Sequence, residues 1–354
     1  MKLGLLTAAL GRMSLEQVAA WAPQAGYEAL EVAAWPVGSE HVHQAAHLDV
    51  VGFTADDAAR VRDLMDGHGL TISAVTYCGN NLHHDRGERD RVHRHLRACV
   101  DAAAALDVRH VTTFIGRDIT LPVADNLVQA ERYLAPLARY AADRGVRLLA
   151  ENCPMEGWHP DGYPANLAYS PELWDWMADL GFGLAYDPSH LPWLGIDPLH
   201  ALEYALRAGI VGHVQAKDIR IDERARTHYG VFGKTAGRTS PTDVGWWRYR
   251  VPGCGQLDWK EIVNALDTAG YDGDIAVEHE DPIWSGTLDK TLQGLRIAAR
   301  TLRPLIVSGS DEQSPPPAPR TELPPPSEKP QKPGASGPGP NRRSATAGSP
   351  GHVR

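Results

Sequence analysis

Cysteine is scarce in this chain. The 354 residues include four, Cys78, Cys99, Cys153 and Cys254, and no two stand in a CxxC spacing. That excludes a zinc knuckle and argues against a disulfide-stapled secreted scaffold; reduced thiols in a cytoplasmic protein are expected. Long apolar runs are missing too. No stretch approaches the roughly 18 uninterrupted apolar residues of a membrane span. The opening MKLGLLTAALGRMS has too short an apolar core for a signal peptide and reads better as a first strand. Basic excess is also absent. The net charge is −9, which speaks against the clustered Lys and Arg of a nucleic-acid footprint and leaves room for a bound cation. Finally, no GxGxxG turn follows the first apolar run, where GLLTAALG stands instead. An open, doubly wound dinucleotide-binding sheet would usually bring that turn.

What is present is alternation. Eight short, β-rich apolar runs are expected as strands: 2–9, 27–35, 71–78, 109–116, 146–152, 182–187, 210–218 and 274–280. Between them lie stretches with apolar residues at helical spacing. SLEQVAAWAPQAG should start at Ser14 as N-cap, with Glu16 in its first turn. SPELWDWMADLG brings Ser170, Pro171 and a stop at Gly181, and DWKEIVNALDTAG repeats the pattern with Asp258 and Gly270. Eight strands and eight helices in strict alternation predict one closed α/β barrel over residues 1–306. The composition then breaks. Residues 307–354 hold 12 of the 27 prolines and almost no large apolar side chain. Such a segment cannot bury enough surface to offset its ordering entropy, so a disordered Pro-rich tail is expected. PPPAP and LPPPSEKP would suit a partner's aromatic groove weakly; a solubilising role is the simpler expectation.

Four of the runs end on an oxygen-bearing side chain: Glu151 in VRLLAEN, Asp187 in FGLAYDPSH, Gln215 in IVGHVQAKD and Glu278 in DIAVEHEDP. At the carboxyl ends of successive barrel strands such side chains converge on one rim. Three carboxylates facing one another repel unless a cation lies between them. The pattern therefore predicts a divalent-metal site. In the seventh run His213, Gln215 and Lys217 share a face. Gln215 is better placed for the metal and His213 for a deeper layer, although imidazole is the commoner ligand type and either residue could fill the role. Lys217 is placed to reach over a substrate.

The segments ENCPMEGWHPDGYPANLAYSPELW, YDPSHLPW, HVQAKD, WWRYRVPGCGQLDW and VEHEDP, in that order, resemble the sugar phosphate isomerase/epimerase group of the xylose-isomerase-like TIM barrel superfamily. The resemblance spans roughly residues 1–306 and implies a (β/α)8 TIM barrel. It implies a divalent ion held by Glu151, Asp187, Gln215 and Glu278, with Gln215 standing where many relatives carry His. An all-oxygen set favours Mn²⁺, with Mg²⁺ or Co²⁺ as alternatives, over Zn²⁺. His190, in DPSH, corresponds to a histidine that contacts substrate or metal in relatives, and Glu156 is expected at a substrate hydroxyl. The long connection 222–257 has the length of a lid or binding loop. In it Arg248 and Arg250 would clamp substrate oxygens beside Trp246 and Trp247. Trp35, Trp158 and Trp193 fall near strand ends, and Asn80, Asn81, His83 and Arg117 are further candidates for the barrel mouth.

The expected activity is isomerisation or epimerisation of a sugar or keto-sugar through an enediolate, with Glu151 and Glu278 as base and acid on its two faces. The same first step could instead serve a lyase or dehydratase acting on an oxidised sugar, a 3-oxo-glycoside or an inosose. A non-catalytic sugar-binding barrel is the remaining alternative. The endonuclease of the superfamily is disfavoured by the acidic body and by Gln215. Expected partners are a small sugar or cyclitol, with no nucleic acid and no membrane; homo-oligomerisation is left open.

Overall fold

The computed structural model describes residues 1–38, 45–154, 164–239 and 243–306. Glu156, Trp158 and the Pro-rich tail lie outside the described residues. Eight strands close into a parallel barrel: β1 (Lys2–Leu6), β2 (Ala29–Ala33), β3 (Thr71–Thr76), β4 (His110–Thr113), β5 (Arg147–Glu151), β6 (Gly183–Tyr186), β7 (Val211–Ala216) and β10 (Asp274–Val277). Their order around the barrel is β1-β10-β7-β6-β5-β4-β3-β2. The (β/α)8 TIM barrel expected from the apolar runs is the fold observed.

The helices start where their caps dictate. In α1 (Leu15–Trp21) Ser14 and Gln17 form a reciprocal capping box, and in α2 (Ala55–Gly67) Thr54 and Asp57 do the same. Each such cap is worth about 1 kcal/mol. In α9 (Trp259–Thr268) Asp258 accepts from the Lys260 and Glu261 amides. Ser170 precedes α6 (Pro171–Asp179) without a side-chain cap bond, and Pro171 in the first turn marks that start.

Strict alternation is broken in two connections. Between β4 and β5 the chain forms two helices, α4 (Val123–Tyr133) and α5 (Ala135–Ala142). After β7 it does not run straight into a loop. The seventh expected strand, 210–218, ends at Ala216, and Asp218 opens a separate strand, β8 (Asp218–Ile221). This pairs antiparallel with β9 (Trp247–Arg250), and α8 (Glu223–Tyr229) lies between them in the chain. The stretch read as one long loop thus carries α8 and the second strand of a two-stranded ribbon.

Inside the barrel the packing alternates large and small. Leu149 of β5 fills the space beside two glycines: a Cβ at Gly183 or at Gly212 would come within 2.6 Å of its Cδ2. Gly212 is also the extra residue by which β7 slips against β6, where Leu184 pairs Val211 but Ala185 pairs His213. The slip sets which β7 side chains face the interior.

Asp218, 1 % exposed, organises the base of the ribbon. Its carboxylate accepts from the amides of Ile219, Gly253, Gly255, Gln256 and Leu257 and from Trp259 Nε1, at 2.8–3.2 Å. Asp218→Ala would strand several buried donors, each costing about 1–3 kcal/mol. The expected result is a fall in the urea midpoint large enough to leave little folded protein at 37 °C, checked by denaturation at constant pH. A second prediction concerns His110, at the start of β4. Burial, with the positive charges of His213, Arg147 and Arg109 nearby, lowers its pKa from 6.5 to about 4. Between those values the unfolded chain binds a proton that the folded chain resists. Stability contributed by the neutral ring is therefore complete above pH 6.5 and lost as the pH falls toward about 4. In His110→Gln the urea midpoint should decline less steeply over that window.

Candidate metal centre at the carboxyl-terminal rim

The carboxyl ends of β5, β6 and β10 deliver Glu151, Asp187 and Glu278 to one place. One carboxylate oxygen from each lies within 4.8 Å of the other two. Glu151 and Asp187 are buried, and the Glu278 side chain is 13 % exposed. Asn152 holds two of the strand ends in register: its side chain accepts from the Asp187 amide at 2.7 Å and donates to the Asp187 carbonyl at 2.8 Å.

The inward face of β7 runs from the barrel interior to this cluster. His213 Nε2 lies 3.0 Å from Glu31 Oε2 of β2. Gln215 donates its amide nitrogen to Glu31 Oε1 at 3.1 Å. Glu31 also accepts from Thr76 Oγ1. A carboxylate only accepts, so the Gln215 atom facing it must be the nitrogen. The amide oxygen of Gln215 is then left buried with no hydrogen-bond partner. Burial disfavours the Glu31 charge, but the His213 ring and the Thr76 and Thr112 hydroxyls outweigh it and hold the carboxyl below its usual range.

Lys217, the next residue on that face, is 1 % exposed and reaches the cluster itself. Its Nζ lies 3.1 Å from Asp187 Oδ2, 3.1 Å from Glu278 Oε2 and 3.0 Å from Glu280 Oε2. Only the contact with Glu280 has hydrogen-bond geometry, leaving Asp187 Oδ2 and Glu278 Oε2 without one. Burial raises the Asp187 carboxyl, but the charges of Lys217 and His190 overcome that and bring it to about 2. Glu278 moves the other way: burial, reinforced by the Glu151, Glu280 and Asp187 charges, raises it well above the carboxylate range in spite of Lys217.

His190, fully buried, faces the same cluster. Nε2 lies 3.2 Å from Glu151 Oε1 and 3.1 Å from Asp187 Oδ2, and Nδ1 lies 2.7 Å from Tyr249 Oη. The Tyr249 ring also sits under Lys217, 4.7 Å from Nζ. The ribbon therefore contributes a tyrosine, not an arginine clamp. Arg248 pairs with Arg220 on the opposite, exposed face of the ribbon. Arg250 donates Nε to buried Asp281 at 2.7 Å, which ties the ribbon to the chain after β10. Trp247 stacks on Trp193 with centroids 4.8 Å apart, and Trp246 is buried, 1 % exposed. Trp35 packs edge-on against Tyr77 at the end of β2. Asn80, Asn81 and Arg117 bond backbone and hydroxyl groups of the β3–β4 and neighbouring connections, bracing the mouth.

The carboxyl rim of a parallel barrel is the usual place for a catalytic centre in this fold. A family model described as the xylose isomerase-like TIM barrel matches residues 19–304. The chain belongs to that family. Across 305 residues it is 27 % identical to the Bacillus subtilis (strain 168) protein YfiH, spanning 79 % of this chain and 93 % of YfiH. Over a shorter stretch of 119 residues it is 32 % identical to the inosose dehydratase of Geobacillus thermodenitrificans (strain NG80-2), covering 33 % of this chain and 37 % of that one. The crystal structure of a D-psicose 3-epimerase, determined with D-fructose, superposes with a TM-score of 0.60 at 16 % identity, over 86 % of this chain and 99 % of that one. Within this xylose isomerase-like barrel, no helix among the described residues is long and apolar enough to cross a membrane.

Sequence reasoning missed Glu31, Tyr249 and Glu280. For Glu31 a signal existed, an acid flanked by two apolar residues on either side in the run YEALEVAAW. Tyr249 was masked by the arginines on either side. Removing the Lys217 charge should expose what it neutralises. Lys217→Met in chelator-treated protein is expected to cost about 3–5 kcal/mol, the usual penalty for stranding one partner of a buried ion pair. Urea unfolding of the two proteins side by side measures it.

Proposed function

We propose that the protein is a divalent-cation-dependent enzyme of cytoplasmic sugar or cyclitol metabolism that epimerises or isomerises a keto-sugar by moving a proton on the carbon beside the carbonyl. The observation that supports this best is the buried trio of Glu151, Asp187 and Glu278 at the barrel rim. Three carboxylates at this spacing, with Glu280 beside them, call for more positive charge than Lys217 and His190 supply.

The donor set fits a hard cation. Glu151, Asp187 and Glu278 would hold it, with the partnerless Gln215 amide oxygen as the fourth ligand. No nitrogen or sulfur belongs to that set, which favours Mn²⁺ or Mg²⁺. When bound, such an ion polarises a carbonyl and stabilises the negative charge that develops on its oxygen as the neighbouring proton leaves.

The remaining steps belong to the side chains. Glu151 and Glu278 stand on walls separated by β6 and β7, so a substrate bound between them presents one face to each. One carboxylate removes the proton and the other returns it, which inverts the carbon; return to the neighbouring carbon by a single carboxylate gives isomerisation. His190 is held by Tyr249 and Lys217 by Glu280, and both would bind substrate oxygens.

A dehydratase is the second reading, and the 32 % identity to an inosose dehydratase over about a third of the chain favours it. There the same proton is removed, and a hydroxyl on the next carbon leaves with a proton from the Lys217 ammonium. Atoms balance as loss of one water.

Reconstitution of chelator-stripped protein with Mn²⁺, followed by incubation with keto-sugars and inososes in D₂O, separates the readings. Deuterium entering the carbon beside the carbonyl without loss of water indicates an epimerase or isomerase; an unsaturated product indicates a dehydratase. Glu151→Gln and Glu278→Gln, still loaded, should each lower exchange by about 10²-fold or more. Exchange at the wild-type rate in both would overturn the assignment. Asp187→Asn should weaken Mn²⁺ binding, read as free Mn²⁺ by paramagnetic resonance.

A further inference from the structure

Beside the oxygen cluster lies a second group of different chemical character. A carboxylate oxygen of Glu151, the sulfur of Cys153 and a ring nitrogen of His190 all lie within 4.8 Å of one another. Glu151 and His190 are buried, and Cys153 is partly exposed. A hydrogen bond joins His190 to the Cys153 thiol.

Three features hold this group in place. Asn166 donates its side-chain amide to the carbonyls of both Glu151 and Cys153, at 2.9 and 2.7 Å, fixing the backbone on either side of the pair. Asn152, between them, ties that backbone to Asp187, three residues before His190. Tyr249 Oη lies 2.7 Å from His190 Nδ1, which leaves Nε2 as the atom turned toward Glu151 Oε1 at 3.2 Å. Histidines that ligate metals nearly always have their other nitrogen engaged in this manner. Nothing in the proton transfer described above uses Cys153.

We propose that Glu151, Cys153 and His190 form a second cation position, selective for a thiophilic divalent ion such as Zn²⁺. Three protein ligands drawn from sulfur, nitrogen and oxygen, with water as the fourth, would make the donor set of an open zinc site. Thiolate favours Zn²⁺ and Co²⁺ over Mn²⁺ and Mg²⁺, so the two positions differ in the ions they take. Binding exchanges the thiol proton for a metal–sulfur bond, and the proton leaves to solvent without any redox change. Because Glu151 belongs to both sets, Zn²⁺ here withdraws a carboxylate from the oxygen cluster. It follows, if the proposed function holds, that Zn²⁺ inhibits the Mn²⁺-loaded enzyme.

Co²⁺ is the probe, because a cobalt–thiolate bond gives a near-ultraviolet charge-transfer band that oxygen ligands do not. Chelator-stripped full-length protein titrated with Co²⁺ should develop the band, and added Zn²⁺ should abolish it. Cys153→Ser, with Cys153→Ala as a second variant should the first fold poorly, should lose the band and weaken Zn²⁺ binding by more than about tenfold. Cys78→Ser should keep the band, although Cys78 Sγ lies 3.7 Å from the other Glu151 oxygen. A wild-type protein without the band, or a band that survives both Cys153 variants, overturns the proposal. Mn²⁺ binding measured on the same samples keeps the two readings apart. The band with no Mn²⁺ site supports the thiolate position alone; Mn²⁺ binding without the band sinks it alone.

Discussion

Like charges buried at close range are the constraint around which this barrel rim is built. Glu151, Asp187 and Glu278 cannot all carry charge within 4.8 Å of one another unless positive charge is brought to them. The fold supplies some of it from β7, whose inward face delivers Lys217 to Asp187, Glu278 and Glu280 at 3.0–3.1 Å. His190 adds more from the turn after β6. The same constraint explains why the elements around the rim are so heavily cross-tied: Asn152 joins β5 to the end of β6, and Tyr249 braces His190. Carboxylates under mutual repulsion stay together only where their backbones have nowhere else to go.

Further down the barrel, Glu31 meets the same problem in another way. It is fully buried but surrounded by donors: His213, Gln215 and Thr76. Its effect on the rim runs through Gln215. With the amide nitrogen committed to Glu31, the amide oxygen is the only end left to offer, and a residue with two chemically different ends acquires one orientation. Gln215 thus retains the character of an acceptor.

Much of this was readable in the residues. Eight apolar runs gave eight barrel strands, and Glu151, Asp187 and Glu278 stand out because each ends such a run. Parallel strands force those ends to one rim, so three distant acids could be brought together from one-dimensional pattern alone. What the pattern could not carry was contact across the barrel. Glu31 sits in the middle of a strand, and only the closed geometry brings it across the barrel interior to β7. The ribbon was hidden for a related reason. The apolar run 210–218 looks continuous, yet the chain turns at Lys217–Asp218 because Asp218 gathers the amides of a segment some 35 residues later. The arginines looked like a clamp by residue type; strand alternation instead turns Arg248 outward and Tyr249 inward.

The anchoring of that ribbon has an evolutionary side. Asp218 secures the backbone just after β9, and Asp281 secures Arg250 and the Val251 amide. Both fastenings lie at its foot. Whatever length or composition the intervening segment takes, Tyr249 is returned to the same spot beside His190. Sequence drift in residues 222–246 is thereby uncoupled from the ionic centre. The described residues of that segment can therefore vary while the acidic cluster is left undisturbed.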